Sequence, residues 1–153
     1  MKRKYIIRQL SKDFYQKYDR YNYPEIERKK DRPYMVMLIR IDNNMFAIPF
    51  RTNIKHNACY KFKNSGRKTQ NITGLDFSKA VIINSRKYIG NKEFIDRREF
   101  VEIKRRHFFI ISKFKKYLSN YYRFINGELK GRDAQKYKYT TLKYFHKELG
   151  INN

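Results

Sequence analysis

The sequence is short of the residues that secreted, metal-rich and membrane-spanning proteins need. Its 153 residues include one cysteine, Cys59, so the chain can form neither a disulfide framework nor a cysteine-rich zinc site, and the single thiol fits a reducing cytosol. No apolar run approaches the roughly 18 residues of a membrane span, and the basic start MKRKYII lacks the apolar region of a signal peptide. We therefore expect a cytoplasmic protein.

Acidic residues are scarce beside basic ones. The chain has 14 Asp and Glu against 37 Lys and Arg, which gives a formal net charge of +23 and a pI of about 10.1. Proline and glycine are few, whereas 41% of the residues are hydrophobic and 17% aromatic, so we expect one folded domain over residues 1–153. The positive charges of the folded chain repel one another, and a polyanion would neutralise them. Nucleic acid is therefore the expected partner. A codon bias towards A and T, which enriches Lys, Asn, Ile, Tyr and Phe together, is an alternative source of part of this composition.

Two stretches of the chain contain no acid at all. One lies between Asp42 and Asp76, and the other lies between Glu102 and Glu128. They predict surfaces that follow a phosphate backbone, with an affinity that falls as salt rises. Fourteen Tyr and twelve Phe provide rings that could stack on unpaired bases, although core packing is their commoner use. The cations predicted to contact RNA in and near these stretches are Lys61, Lys63, Arg67, Lys68, Lys79, Arg86, Lys104, Arg105, Lys115 and Lys116.

Hydrophobic patterning predicts an antiparallel sheet in the middle of the chain. Residues 34–41 (YMVMLIRI) and 45–49 are apolar runs joined by an Asn-rich turn, which is typical of a β-hairpin. Residues 4–8, 59–63 and 80–83 are shorter strand candidates.

Capping signals predict the helices. Ser11 is a candidate N-cap of a short helix. Asp96 and Glu99 form a capping box before a long helix, whose apolar residues recur every three or four positions up to Gly127. A further helix is predicted over residues 133–149. The expected fold is therefore α+β, an antiparallel β-sheet core flanked by helices, with a long C-terminal helical pair.

Several catalytic motifs are missing. The chain contains no GxxxxGK[ST], GxGxxG, HExxH or GxSxG. Its acids fall in no paired motif, which disfavours the carboxylate cluster of a two-metal nuclease. No metal and no cofactor is predicted.

The polar loop after the hairpin is the best candidate site, because loops at strand ends display side chains on a rigid base. RNA carries its own nucleophile, the 2′-hydroxyl, so a protein can cut RNA without a metal by aligning that group and neutralising the phosphorane. Arg51 and Lys55 are candidates to stabilise the phosphorane, and His56 is a candidate to shuttle a proton. Thr52 and Asn53 are candidates to hold the phosphate or orient the 2′-hydroxyl. A turn followed by solvated charges is the simpler interpretation of the same residues.

Three further polar residues, Ser78, Lys79 and Ser85, flank the 80–83 strand candidate and could reach a phosphate. Polar residues at the edge of a strand are common, so this signal is weak.

The hairpin and its loop resemble a known family. The segments PYMVMLIRIDNNMFAIPFRTNIKH and GLDFSKAVII look like the endoribonuclease toxins of type III toxin–antitoxin systems, the ToxN, AbiQ, CptN and TenpN group, and are nearest to the CptN and TenpN branches. The resemblance covers roughly residues 30–85. It implies a strongly twisted antiparallel sheet, similar to that of the Kid and MazF toxins. It also implies metal-independent cutting of A-rich RNA that leaves 2′,3′-cyclic phosphates.

The resemblance further implies partners. The antitoxin of this family is an RNA pseudoknot, transcribed as tandem repeats that the toxin cuts into units. Those units lie in basic grooves and join toxin molecules into closed assemblies with few direct protein contacts. Cellular mRNA is the implied substrate, and phage defence or stable maintenance the implied role.

The family's functional residues map onto the hairpin loop. Its loop hydroxyl corresponds to Thr52 and its loop lysine to Lys55. Asn53 stands where some members have Ser, which leaves a hydroxyl role there in doubt, and Arg51 is extra relative to the ToxN pattern. The aromatic and basic residues before the first hairpin strand match Tyr34, Arg32 and Lys30.

Two other functions stay open. A non-catalytic RNA-binding protein would share the same charge. A DNA-binding module is disfavoured, because no helix-turn-helix spacing is evident and the long helix needs its apolar stripe for packing.

Overall fold

A computed structural model describes residues 5–28, 34–66 and 72–152, and within them an antiparallel sheet of seven strands is combined with helices. This confirms the predicted α+β class. Four residues predicted to contact RNA lie outside the described residues: Lys30, Arg32, Arg67 and Lys68.

The sheet has the strand order β4-β5-β3-β2-β1-β7, and β6 also pairs with β3. The strands are β1 (Tyr5–Leu10), β2 (Met35–Ile41), β3 (Asn44–Arg51), β4 (Cys59–Lys61), β5 (Gly74–Asp76), β6 (Val81–Ile83) and β7 (Ile89–Lys92). The five predicted strand regions correspond to β1, β2, β3, β4 and β6. The sequence did not indicate β5 and β7, because β5 has only three residues and β7 reads IGNK, which shows no apolar alternation.

The predicted hairpin of β2 and β3 forms the centre of the sheet. Ile41 pairs with Asn44 across the turn, and Asp42 adopts the left-handed backbone conformation with φ 55°. Residues 36–39 and 46–50 are all buried, so both faces of the hairpin are covered, since successive side chains point to opposite faces. This double burial explains why β2 and β3 read as nearly continuous apolar runs.

The second edge of β3 is interrupted. β5 pairs with Phe50 and Arg51, and β6 pairs with residues 45–47, so Ile48 and Pro49 face a 3₁₀ turn at Phe77–Lys79 instead of a strand in the described sheet. Pro49 has no N–H to donate, and the interruption lies beside it. The 3₁₀ turn therefore lies beside the end of β3, where the candidate loop begins.

The two predicted helix starts are confirmed. In α1 (Lys12–Lys17), the Ser11 hydroxyl accepts the Phe14 N–H at 3.3 Å. In α2 (Arg97–Ile125), the Asp96 carboxylate accepts the Glu99 N–H at 3.1 Å. Both bonds satisfy N–H groups that a helix start would otherwise leave without partners.

The long helix α2 has the predicted apolar stripe and the predicted stop. The buried residues of the stripe are Ile103, Ile110, Phe114, Tyr117, Leu118 and Tyr121. Gly127, at φ 74°, donates to the Phe124 carbonyl, and Glu128 donates to the Arg123 carbonyl. These two bonds form a Schellman motif, which explains the glycine. The helix is kinked at Arg106, whose φ and ψ are −118° and 16°.

The continuous helix predicted over residues 133–149 is wrong. The chain forms one helical turn, α3 (Arg132–Gln135), and then a 3₁₀ helix over Thr141–Phe145. Two adjacent β-branched threonines stand at the break, since Thr140 is the N-cap of the 3₁₀ helix and Thr141 is its first residue. Thr140 accepts the Leu142 N–H at 3.3 Å, and the Thr141 hydroxyl donates to the Ala80 carbonyl. A long C-terminal helical pair is therefore not present.

None of the helices in the described ranges combines the length and apolar character needed to cross a bilayer.

Candidate functional site

The polar loop that follows β3, the 52–56 loop, points three polar side chains outward. Thr52, Asn53 and Lys55 are exposed, whereas Ile54 is buried and its N–H donates to the Ile72 carbonyl at 3.1 Å. Asn53 has φ 60°, a left-handed conformation that asparagine tolerates better than most residues. The buried isoleucine therefore anchors the loop and turns its neighbours towards solvent.

A buried carboxylate lies beneath this loop. Asp76, at the end of β5, is 0% exposed. Its Oδ2 lies 2.5 Å from Arg51 Nη1, and both of its oxygens lie 3.3 Å from His56 Nε2. Its Oδ1 accepts the Ser78 hydroxyl at 2.6 Å and the Ser78 N–H at 3.0 Å. Four donors thus compensate a charge that would be costly to bury alone.

The same bonds determine the protonation of Asp76. Burial by itself would raise the pKa of the carboxyl, but the hydrogen bonds from His56, Ser78 and Arg51 outweigh burial and hold the pKa below its ordinary value. Asp76 is therefore a carboxylate at neutral pH.

His56 is held through both ring nitrogens. Its Nδ1 accepts the Ala58 N–H at 3.1 Å, so in the neutral ring the proton is on Nε2 and points at Asp76. Neither nitrogen is left for the proton shuttle suggested by the sequence, as long as these two bonds are intact. The arrangement suits a residue that holds the loop rather than one that moves a proton.

Arg51 lies between two carboxylates. Besides Asp76, its guanidinium faces Glu27, with Nη2 and Oε1 3.5 Å apart. Burial by itself lowers the pKa of Arg51, but the bond to Asp76 and the charge of Glu27 outweigh burial, so the pKa is raised above its ordinary value. Its charge is therefore largely compensated within the protein, unlike that of Lys55.

Tyr34 is on the far side of Glu27 from Arg51. Its hydroxyl donates to Glu27 Oε2 at 3.0 Å, and the ring is buried. Burial and then the Glu27 charge raise the pKa of Tyr34 to about 12. The side chain is a neutral hydrogen-bond donor at physiological pH.

Lys79 completes this cluster. It borders a narrow cavity together with Glu27 and Tyr34, and its ammonium donates to the Tyr139 carbonyl at 3.3 Å. Burial lowers its pKa, although the charges of Glu27 and Asp76 oppose that change. The fold thus brings the predicted residues Arg51, Tyr34 and Lys79 around one carboxylate.

A second candidate surface is a groove of about 580 Å³ between residues 63–64 and the first half of α2. We call it the basic groove. Its lining residues are Lys63, Asn64, Arg97, Arg98, Val101, Glu102, Arg105 and Arg106. Five of these eight side chains are cations, which favours a polyanion.

The carboxylate of Glu102, which is almost fully buried, forms the base of the groove. Its Oε1 accepts the N–H groups of Lys63 and Asn64 at 2.9 Å each, and its Oε2 accepts the Tyr60 hydroxyl. Because the carboxylate binds backbone and a phenol, it forms no ion pair with the groove cations, and neither does any other acid that the structure describes.

Two further acids on the same side of α2 bind residues 65 and 66, which follow the groove residues Lys63 and Asn64. Asp96 accepts the Gly66 N–H at 2.9 Å, and Glu99 accepts the Ser65 hydroxyl at 2.6 Å. Spacings of three residues place Asp96, Glu99 and Glu102 on one face of the helix. This acidic face fastens residues 63–66 to α2 and so gives the groove a fixed wall.

The other predicted RNA contacts are scattered. Lys63 and Arg105 do meet in the basic groove, and Lys61 donates to Asn57 at 3.3 Å. The remaining described cations are exposed on other parts of the surface: Arg86, Lys104, Lys115 and Lys116.

Sequence reasoning missed the acids of the site. Asp76 follows the acid-free stretch, and Glu27 lies in a segment interpreted as a connecting loop. The sequence therefore did not predict that either carboxylate forms an ion pair with Arg51. One local signal was available, because an Asp two residues before a Ser can accept its N–H and start a turn, as Asp76 does. The groove residues Arg97, Arg98 and Arg106 were also not identified.

Within the described ranges, no group of three or more His, Cys, Asp and Glu residues is placed to hold a metal ion. Comparison of the chain with known protein families, with curated proteins and with solved structures finds no match.

Proposed function

We propose that this chain is a metal-independent endoribonuclease, the toxin of a type III toxin–antitoxin system. The observation that carries the proposal is the 52–56 loop. Its residues Thr52, Asn53 and Lys55 are exposed, and their side chains form no hydrogen bond or ion pair with any residue that the structure describes. A hydroxyl, an amide and a cation are thus available on one rigidly anchored turn of a chain with net charge +23.

The proposed reaction uses the RNA's own nucleophile. The 2′-oxygen attacks the adjacent phosphorus and loses its proton, the bond from phosphorus to the 5′-oxygen breaks, and that oxygen leaves as a hydroxyl after gaining a proton. The product ends are a 2′,3′-cyclic phosphate and a 5′-hydroxyl. Lys55 neutralises the charge that grows on the phosphorane, and Thr52 and Asn53 bind its oxygens or orient the 2′-hydroxyl.

Arg51 and His56 take a different part in this proposal. Asp76 and Glu27 compensate the charge of Arg51, and both nitrogens of His56 are engaged. We assign both residues to holding the loop.

The basic groove supports an RNA partner larger than the scissile site. Its five cations over a buried acid suit a phosphate backbone. From the family resemblance, we propose that the antitoxin is a repeat-derived RNA pseudoknot, bound in a closed toxin–RNA assembly. We also propose that the sheet is strongly twisted.

A non-catalytic RNA-binding protein is the second candidate. The basic groove favours it, because a groove that leaves its cations uncompensated binds RNA whether or not the 52–56 loop is reactive. It predicts salt-sensitive binding without cleavage.

Incubation with an A-rich RNA in EDTA tests the proposal. We expect cleavage by the wild-type chain and by a Lys12→Ala control, which removes an exposed charge from α1, but not by Lys55→Ala or Thr52→Ala. Thr52→Ser, which keeps the hydroxyl, should retain activity. Intact RNA with the wild type, or cleavage that needs Mg²⁺, would favour the second candidate or a different nuclease.

A further inference from the structure

One buried carboxylate contacts both ends of the 52–56 loop. The chain enters the loop from Arg51 and reaches its last residue at His56, and both side chains meet Asp76 Oδ2, at 2.5 Å and 3.3 Å. The four residues between Arg51 and His56 are thus closed off by a single carboxylate. Thr52, Asn53 and Lys55 lie within that closed segment.

Asp76 is itself held in place. The Ser78 hydroxyl and N–H both donate to its Oδ1, and the N–H of Phe77 donates to the Ala58 carbonyl at 3.0 Å. The 3₁₀ turn that carries Asp76 is therefore tied to the chain on the far side of the loop.

We infer that Asp76 is the positioning residue of the site, since its carboxylate holds Arg51 and His56 and thereby fixes the turn that presents Thr52 and Lys55 to RNA. This inference rests on the proposed function. It goes beyond it by assigning the loop's geometry to a residue that RNA does not touch, because Asp76 is 0% exposed.

The two oxygens of Asp76 differ in a way that makes a sharp variant possible. In Asp76→Asn, Oδ1 can still accept from Ser78, so the amide nitrogen takes the place of Oδ2. That nitrogen would point its hydrogens at the Arg51 guanidinium, which is a donor, and would leave the Nε2–H of His56 only Oδ1, which lies 3.3 Å away and already accepts from Ser78. The substitution should release the Arg51 end of the loop and weaken the bond at His56, while it leaves the turn at Ser78 in place.

The first test is the kinetics of Asp76→Asn on A-rich RNA in EDTA, with the exposed Asp13→Asn as the matched control. A displacement of about 1 Å can lower a rate by about 100-fold. We expect kcat to fall at least about tenfold on that basis, with little change in KM, and the control to match the wild type. A folded Asp76→Asn protein with wild-type kcat would overturn the inference.

The second test is independent of activity. Nitrogen-15 NMR distinguishes a ring protonated on Nε2 from one protonated on Nδ1, and the chain has only three histidines. We expect the Nε2–H form for His56 in the wild type. In Asp76→Asn the Ala58 bond to Nδ1 keeps this tautomer, and we expect the His56 Nε2–H signal to shift because its bond to the carboxylate is weakened. If the wild type cuts no RNA but shows this tautomer, the proposed function fails and the loop's anchoring stands. An unchanged His56 signal in Asp76→Asn would contradict the anchoring.

If Asp76→Asn does not fold, Arg51→Met and His56→Phe take its place. Each removes one donor from the partly exposed side of the cluster and keeps much of the side-chain volume. The inference predicts a lower kcat for each, and a double variant whose loss is smaller than the product of the single losses, because both act through one carboxylate. A wild-type kcat in either single variant would overturn it.

Discussion

The 52–56 loop and the basic groove place their carboxylates differently, and this difference separates two tasks. Near the loop, Asp76 and Glu27 bind the cation Arg51, so Lys55 is left as the loop's uncompensated charge. In the groove, Glu102 binds backbone N–H groups, and the groove's cations stay available. A single well-placed cation suits a reaction, whereas many free cations suit affinity.

The largest expected effect separates chemistry from binding. Lys55→Ala should lower kcat by about 100-fold, the usual loss when one group that stabilises a transition state is removed. KM should change little, because the groove supplies most of the affinity. Steady-state kinetics in EDTA measure both. A loss that appears only in KM would place Lys55 in binding and erase the contrast between the two regions.

The groove should show the opposite behaviour. The double variant Arg98→Ala/Arg105→Ala should bind single-stranded RNA several-fold more weakly, and the slope of log K against log salt should become less steep by about 1.4, for two lost phosphate contacts. The kcat at saturating RNA should stay close to that of the wild type. Filter binding over a salt series provides the slope. An unchanged slope would mean that RNA does not use the groove.

A third variant tests whether the buried acid supports the groove. In Glu102→Leu, the N–H groups of Lys63 and Asn64 would lose their acceptor, and we expect a loss of about 1–3 kcal/mol in the free energy of unfolding. Urea titration measures it, with the exposed Glu128→Leu as control. Equal stabilities of the two variants would show that Glu102 does not hold residues 63–64.

The smallest effect is a pH dependence that comes from the loop cluster. The pKa of Asp76 is lower in the folded chain than its ordinary value, so its contribution to stability is complete above the ordinary Asp pKa of about 3.9 and is lost as the pH falls through that value towards the folded-state pKa. Urea unfolding at several pH values between 2 and 6 should therefore show a shallower acid decline in Asp76→Asn. Identical profiles would mean that Asp76 is not stabilised as a carboxylate.

Local signals predicted the parts of the fold that local chemistry determines. The hairpin, the Ser11 cap and the start and stop of α2 each depend on residues within a few positions of one another, and all are confirmed. The 133–149 helix was predicted from apolar spacing and from Gly150 as its stop. It failed because Thr140 and Thr141 form side-chain bonds, one of them to the distant Ala80, which spacing does not encode.

The candidate site was predictable in its exposed half only. Thr52, Asn53 and Lys55 follow a strand end, which is a local pattern. The acids that engage Arg51 come from 24 residues before it and 25 after it in the chain, and tertiary packing alone brings them together. An acid-free stretch of sequence therefore does not make an acid-free surface.

Cleavage of an RNA with a 2′-deoxy nucleotide at the cut site tests the central claim most directly, since it removes the nucleophile and leaves the phosphates that the groove would bind. We predict that the wild-type chain in EDTA binds the modified and unmodified RNAs with equal Kd, and cuts only the unmodified one, to a 2′,3′-cyclic phosphate. Cleavage of the 2′-deoxy RNA at the same site, or products that carry a 5′-phosphate, would contradict it.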